Sequence, residues 1–299
     1  TVKSIGKEQS MKVKNNLLET VVHGIFLLLG LVTVACVLLI TGYLVISGIP
    51  AIREIGLTDF LFGTTWASTA AEPKFGILPF ILTSVYGTAG AILLGVPVGF
   101  LTAMYLAKMA PASIREWMGQ AVSMLAGIPS VVYGLVGMMV LVPGIRNFFH
   151  IPDGASLLAA IIVLAIMILP SIIKMSVTAL EAVPKEYEDA SLALGATPEE
   201  TWFRVSAPAA QSGIAAAVVL GVGRAIGEAM AVMMVAGNAA NMPGLFQSVR
   251  FLTTAVASEM SYSSGLQRQA LFSIALVLFL FIMLINAILN FFLKGGKKE

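Results

Sequence analysis

Two stretches of this 299-residue chain hold residue types that could do chemistry. The first is GRAIGEAMAVMMVAGN, which sets Arg224 and Glu228 inside an otherwise apolar run, residues 213–237. Arg224 is the twelfth of those 25 residues. If the run crosses a membrane, a charge at that depth costs about 2.5–3.5 kcal/mol on insertion scales and must face protein, water or a ligand. A guanidinium offers a planar fork of donors that suits oxyanions in bidentate geometry. Glu228, four residues on, is expected on the same helix face, where it would moderate that positive field. Gly223 and Gly227 form a small-xxx-small pair expected to let another helix approach closely. Two uses stay open for the pair of charges: a clasp between helices, or a contact for an anion on its way through.

The second stretch is VPKEYEDASLALGATPEETWFRVSAP, residues 183–208, with Glu186, Glu188, Asp189, Glu199 and Glu200. Pro184 suits the first turn of a helix, and the acids behind it lie near the positive helix end. Gly195 follows the last apolar residue, Leu194, as a helix stop. Thr197-Pro198-Glu199-Glu200 then reads as a start signal, with Thr197 as N-cap, Pro198 first and Glu200 closing a capping box. The second helix is expected to run to about Ser206 and end before Pro208. The result is a polar helical hairpin presenting Tyr187, Leu194, Trp202 and Phe203. It is either a docking element or a folded loop whose aromatics seat on the membrane ends.

The elements that must position these residues are membrane spans. Hydrophobic residues make up 58% of the chain and charged ones 11%, which describes an integral membrane protein. Six apolar runs, residues 21–46, 76–106, 120–142, 155–177, 213–237 and 270–292, reach the roughly 20 residues that cross a bilayer. Residues 1–20 form a polar tail, and 21–46 is too long for a signal-peptide core and reads as an uncleaved span. Pro97 favours a kink in the second run, and 251–260 is expected as a short helix on the membrane surface. Residues 76–293 then form a core of five spans that includes the hairpin.

An even number of spans puts both termini on one face. With the hairpin, that face carries Lys3, Lys7, Lys12, Lys14, Lys108, Arg115, Lys174, Lys185, Arg204, Lys294, Lys297 and Lys298. The other face has Arg53, Lys74, Arg146, Arg250 and Arg268. Twelve against five places the termini and hairpin in the cytoplasm by the positive-inside rule. A net charge of +2 gives no argument for nucleic acid. One cysteine and two distant histidines, His23 and His150, supply no disulfide or metal cluster, and no cofactor is expected.

The hairpin resembles the "EAA" loop of binding-protein-dependent ABC importer permeases. The matching residues are Asp189-Ala190-Ser191, Gly195, and Val205-Ser206-Ala207-Pro208. Asp replaces Glu, Ser replaces the second Ala, and Ala replaces Leu, while the Gly and Pro spacing is kept. The run from Gly223 to Asn238 resembles the fifth-span signature of the phosphate importer permease of PstC type, with Glu228-Ala229 where Glu-Thr is usual. The resemblance implies an all-α type I importer permease, MetI-like, of six transmembrane helices in a bacterial-type inner (plasma) membrane. It implies Arg224 and Glu228 on the path of inorganic phosphate. It also implies Asp189, Ala190, Gly195, Trp202, Phe203 and Pro208 at the coupling contact with an ATPase. Its partners would be a second related permease, two cytoplasmic ATPase subunits, an outer phosphate-binding protein and membrane lipid.

Other classes fit less well. The chain has no GxxxxGK[ST] loop, so ATP hydrolysis belongs to separate subunits and the chain is not itself an enzyme. A proton-coupled secondary carrier could place Arg and Glu in mid-membrane, but it has no use for a capped hairpin. A membrane hydrolase needs a nucleophile with its base, and no such constellation is visible. Within the importer class, sulfate, molybdate or tungstate are the alternative cargoes.

Overall fold

The structure, a computed structural model, describes residues 2–295, with side chains described for 19–288 and 291. The side chains of Lys3, Lys7, Lys12, Lys14 and Lys294, and all of Lys297 and Lys298, lie outside the described residues. Among the described residues, five helices are long and apolar enough to cross a membrane, or six if one bent pair counts as a single span.

The first helix, α1, runs Val2–Ile55, so the polar N-terminal segment is helical and the first span does not stop at Ile46. It continues through Pro50 because its end is held by the last helix. Gly48 lies against the backbone of Phe272 and Ser273, and the Ser273 hydroxyl donates to the Gly48 carbonyl at 2.5 Å. Tertiary packing here overrides a polar local sequence. The apolar side chains from Val21 to Ile40 are exposed within this single chain. After α1 come α2 (Leu57–Phe62) and two short antiparallel strands, β1 (Trp66–Ala67) and β2 (Lys74–Phe75).

The second span, α3 (Leu78–Met104), passes unbroken through Pro97 and ends in a wide π turn, Tyr105–Met109. The third span differs from the sequence reading. Residues 120–142 are not one helix: α4 (Ala112–Gly127) stops at Ile128 and Pro129, and a new rod begins. That rod consists of α5 (Ser130–Val136), a π turn at Gly137–Leu141, and α6 (Val142–Phe149). The span is therefore Ser130–Phe149. Pro129 can give no amide hydrogen to α4 and disfavours helix at Ile128, so the apolar run divides there.

The fourth span, α7 (Leu157–Glu181), is the centre of the fold. Ser156 caps it by accepting from the Ala159 amide, and Leu164, Met167, Ile168 and Ile172 are fully buried along it. It packs most extensively on α3, where a Cβ at Gly95 or Gly99 would strike Ile168 or Ile172 at 2.7–2.8 Å. Bare backbone at those two positions lets the helices approach closely. The hairpin follows as α8 (Lys185–Ala193), α9 (Pro198–Thr201), a π turn at Trp202–Ser206, and α10 (Ala207–Ala209). Then α11 (Gln211–Gly227) sets off at 71° to the preceding helix. Past it lie α12 (Met230–Val235), α13 (Leu252–Glu259) and α14 (Gly265–Gly295). The short helix foreseen near residues 251–260 is present as α13, but Leu252, Thr253, Thr254 and Ala255 are buried rather than laid on a surface.

Candidate functional site: a broken span and a docked hairpin

The fifth span breaks beside its charges. Glu228 is the residue past the end of α11 and has extended backbone, φ −73° and ψ 128°, so it does not share a helix face with Arg224. The expectation of a same-face pair is corrected. The break persists because its loose ends find partners. The Glu228 carboxylate accepts from the Ala231 amide at 3.0 Å and so caps the start of α12, where a negative charge is favoured. The Glu228 carbonyl accepts from the Thr253 hydroxyl at 2.8 Å. Gly223 and Gly227 have nothing within 4 Å of where a Cβ would lie, so no helix closes on them among the described residues.

Arg224, in the last turn of α11, is partly buried, and among the described residues it has no hydrogen bond or ion pair. The Tyr133 hydroxyl belongs to α5, just past the break in the third span. That hydroxyl donates at 2.7 Å to the carbonyl of Leu125, one of the carbonyls left open where α4 ends. The halves of the two broken spans that follow their breaks lie together: α5 packs on α12, and Gly134 faces the Ala231 backbone. The molecule thus sets a guanidinium with no partner among the described residues just before the break in the fifth span. Donors and charge at a helix interruption can hold an anion without requiring a covalent step.

The hairpin is built as its sequence suggests, with one change. Gly195, at φ +90°, ends α8, a conformation that side chains resist. Its amide donates to Leu192 and the next amide, Ala196, donates to Ser191, which closes the helix end in a Schellman pattern. The Thr197–Glu200 capping box forms in both directions. The helix does not end before Pro208 but runs on to Ala209, because the π turn just before it leaves room for a residue without an amide hydrogen.

Of the four side chains expected on the hairpin surface, three are exposed: Tyr187, Phe203 and Leu194, the last at 90%. Trp202 instead turns inward, against a buried cluster that includes Ala103, Met104, Ala107 and Leu180. Asp189, Ala190, Gly195 and Pro208 are exposed. Sequence reasoning did not single out Glu188, whose side chain turns inward and is only 19% exposed. One of its oxygens accepts from Lys108 at 2.5 Å and from Ser206 at 2.8 Å. Burial pushes the Glu188 carboxyl up, but those two hydrogen bonds and the charges of Lys108 and Lys185 outweigh it and hold the group below its ordinary value. Its i+18 spacing from Ser206 and its distance from Lys108 gave no local signal.

A second missed cluster lies at the other end of α3. Glu259 there pairs with Arg250 and accepts from Trp66 at 3.2 Å and from Gln267 at 3.1 Å. Arg250 also donates to the Asn238 carbonyl at 2.9 Å and lies over the Phe80 ring. These contacts tie the loops of the end opposite the hairpin to one another.

With this geometry in view, residues 95–295 match a family described as binding-protein-dependent transport system inner membrane component. The chain belongs to that family. Its curated relatives include the probable ABC transporter permease protein YqgH of Bacillus subtilis (strain 168), 39% identical over 266 residues and 86% of each chain. The phosphate transport system permease protein PstC of Haemophilus influenzae is 34% identical over 276 residues, 85% of each. PstC 2 of Mycobacterium tuberculosis is 31% identical over 290 residues, covering 90% of this chain and 89% of that one.

Two solved structures share the fold. An inward-facing MetNI methionine ABC transporter superposes with a TM-score of 0.56 at 20% identity, over 75% of this chain and 95% of the other. A bacterial alginate ABC transporter gives 0.55 at 15% identity, over 83% and 85%. This family member is therefore a multi-pass inner-membrane permease with the MetI-like helical fold, not an enzyme. It works within a binding-protein-dependent ABC transporter, whose ATPase is a separate subunit.

Proposed function

We propose that this permease forms half of the path for inorganic phosphate in an ATP-driven importer, beside a second related permease, and that Arg224 contacts the anion. The carrying observation is Arg224 itself. A cation kept in an apolar span with no counter-charge among the described residues needs one from outside the chain, and phosphate fits a guanidinium fork. The PstC relatives, at 31–34% identity over most of their length, support phosphate over other oxyanions. Glu228 takes part as the cap that keeps the span interrupted, rather than as a partner that tunes Arg224.

The hairpin would meet one of two ATPase subunits through its exposed surface: Asp189, Ala190, Leu194, Gly195 and Phe203, with Tyr187 and Pro208 at the margins. Trp202 would act from beneath by seating the hairpin. The termini and hairpin would be cytoplasmic, a bias carried by the terminal lysines Lys3, Lys7, Lys12, Lys14, Lys294, Lys297 and Lys298. The binding protein would deliver phosphate to the opposite face.

The test is uptake of labelled phosphate, sulfate, molybdate and tungstate by the assembled transporter in vesicles. ATP-dependent accumulation of phosphate in preference to the other three is expected. Preference for another oxyanion would end the phosphate reading, and uptake driven by a proton gradient without ATP would end the ABC mechanism.

A further inference from the structure

Lys108 and Glu188 are 80 residues apart in the chain and meet beneath the hairpin with side chains only 11% and 19% exposed. Neither is among the residues that match the importer-loop motif, Asp189-Ala190-Ser191, Gly195 and Val205-Ser206-Ala207-Pro208. We propose that this ion pair is a coupling strut: it makes the second span move with the hairpin, so that motion imposed by the ATPase reaches three membrane helices instead of two. The proposal rests on the reading of this chain as an ATP-driven permease and assigns Lys108, Glu188 and Ser206 as positioning residues.

The hairpin is covalently joined to α7 on one side and, through the bend at Ala210, to α11 on the other. Its contact with α3 has no covalent link. What joins them is Trp202 against Ala103, Met104 and Ala107, and the convergence of Lys108 and Ser206 on one oxygen of Glu188. An apolar contact is non-directional and can slide, whereas charge-assisted hydrogen bonds fix distance and angle.

Local geometry serves the same end. Lys108 leaves the π turn Tyr105–Met109 and Ser206 closes the π turn Trp202–Ser206. A wide turn inserts a residue and rotates the side chains that follow, and such turns recur at functional positions in helices. Ser206 is wholly buried, so its hydroxyl is spent on Glu188 and not on water. The hairpin's other ion pair, Glu200 with Arg204, has none of this: it spans 4.0 Å, lies within one helix and is 49% and 80% exposed.

The strut also leads somewhere. Lys108 continues the helix that becomes α3, whose Gly95 and Gly99 seat Ile168 and Ile172 of α7. Gly221 of α11 sits against the same Ile172, one turn before Arg224. A hairpin that carries α3 as well as α7 and α11 moves these close-packed helices as one body, with Arg224 at its far end. A hairpin free of α3 would shear α11 past it.

The experiment uses the full transporter in vesicles, with its second permease, ATPase subunits and binding protein, and labelled inorganic phosphate as probe. The quantity read is phosphate imported per ATP hydrolysed. Lys108→Met and Glu188→Gln should each lower that ratio about tenfold, the factor carried by one lost charge-assisted hydrogen bond. Lys108→Arg should hold it within about twofold, since the charge and a donor remain. The double variant Lys108→Glu with Glu188→Lys should recover most of the loss. A wild-type ratio in both single variants overturns the proposal. So does loss of the ATPase subunits from the purified complex with an unchanged ratio in what remains assembled, because the pair would then only hold the hairpin's fold. Should the wild type import another oxyanion instead, the substrate assignment fails, and the same variants judge the strut with that anion.

Discussion

The two ends of α11 treat charge in opposite ways. At its start the hairpin buries Glu188 with Lys108 and Ser206 already in place, so the charge is satisfied before any partner arrives. At its far end Arg224 stands with no counter-charge among the described residues, and Glu228, the acid nearest in sequence, is committed to capping α12. A satisfied charge holds two pieces of protein in register. An unsatisfied one in an apolar span costs stability, and it is useful only if something from outside supplies the missing partner. The contrast separates a part built to transmit from a part built to receive.

The largest effect should come from Arg224→Gln, which removes the unsatisfied charge and leaves a hydrogen-bonding amide. Phosphate uptake should fall by on the order of a hundredfold, as expected when one member of a desolvated charge contact is lost. Thermal stability of the detergent-solubilised complex should stay level or rise, because no intramolecular bond is broken. Full uptake by a well-assembled variant would remove Arg224 from the path. The charge-swapped double variant, Arg224→Glu with Glu228→Arg, should not rescue uptake, since the two side chains do not form a pair.

Next in size is Gly195→Pro. The left-handed φ of +90° is closed to proline, whose φ is fixed near −65°, and the Gly195 amide that donates to Leu192 is lost. The hairpin's turn should open at a cost of about 3 kcal/mol, with ATP-driven uptake lost while the chain remains inserted in the membrane. Normal hydrolysis and uptake together would show that the turn is not needed for coupling.

Smaller again is Glu228→Ala, which deletes the cap on α12 and should cost about 1 kcal/mol of stability. Glu228→Gln keeps an accepting oxygen and should lose only part of that. Melting curves of the two variants decide the matter: equal losses would mean that the charge of Glu228, not its cap, is what counts.

The smallest effect concerns pH and the hairpin's seat. The Glu188 carboxyl is held low in the folded chain, facing Lys108 and Lys185 with the Ser206 hydroxyl. Protonation therefore favours the released hairpin, and the stabilisation present at neutral pH is lost only as pH falls below the ordinary carboxylate value, about 4.3. Amide exchange in residues 185–206, taken relative to the intrinsic rate at each pH, should be flat from neutral to mildly acidic pH and rise below that range. In Glu188→Gln the rise should vanish, and a rise centred near neutral pH would point to a different group.

What the sequence by itself determined was whatever depends on neighbours along the chain. Apolar run lengths gave the number of membrane spans because a bilayer sets a length, though not the bounds of the first and third. Gly195, Thr197, Pro198 and Glu200 gave the hairpin because caps and stops act over three or four residues. Tertiary structure decided what depends on residues far apart. It carried α1 to Ile55 through Ser273 on α14, turned Trp202 inward and joined Lys108 to Glu188. It also let the fifth span break at Glu228, which a periodic reading continues as helix. The run from Gly213 to Gly237 contains no proline to announce that break. It survives because Ala231 and Thr253 satisfy the polar groups of Glu228, and Thr253 comes from another part of the chain. A helix end inside a membrane is tolerable only where the fold supplies partners for its backbone, and the local sequence does not carry that information.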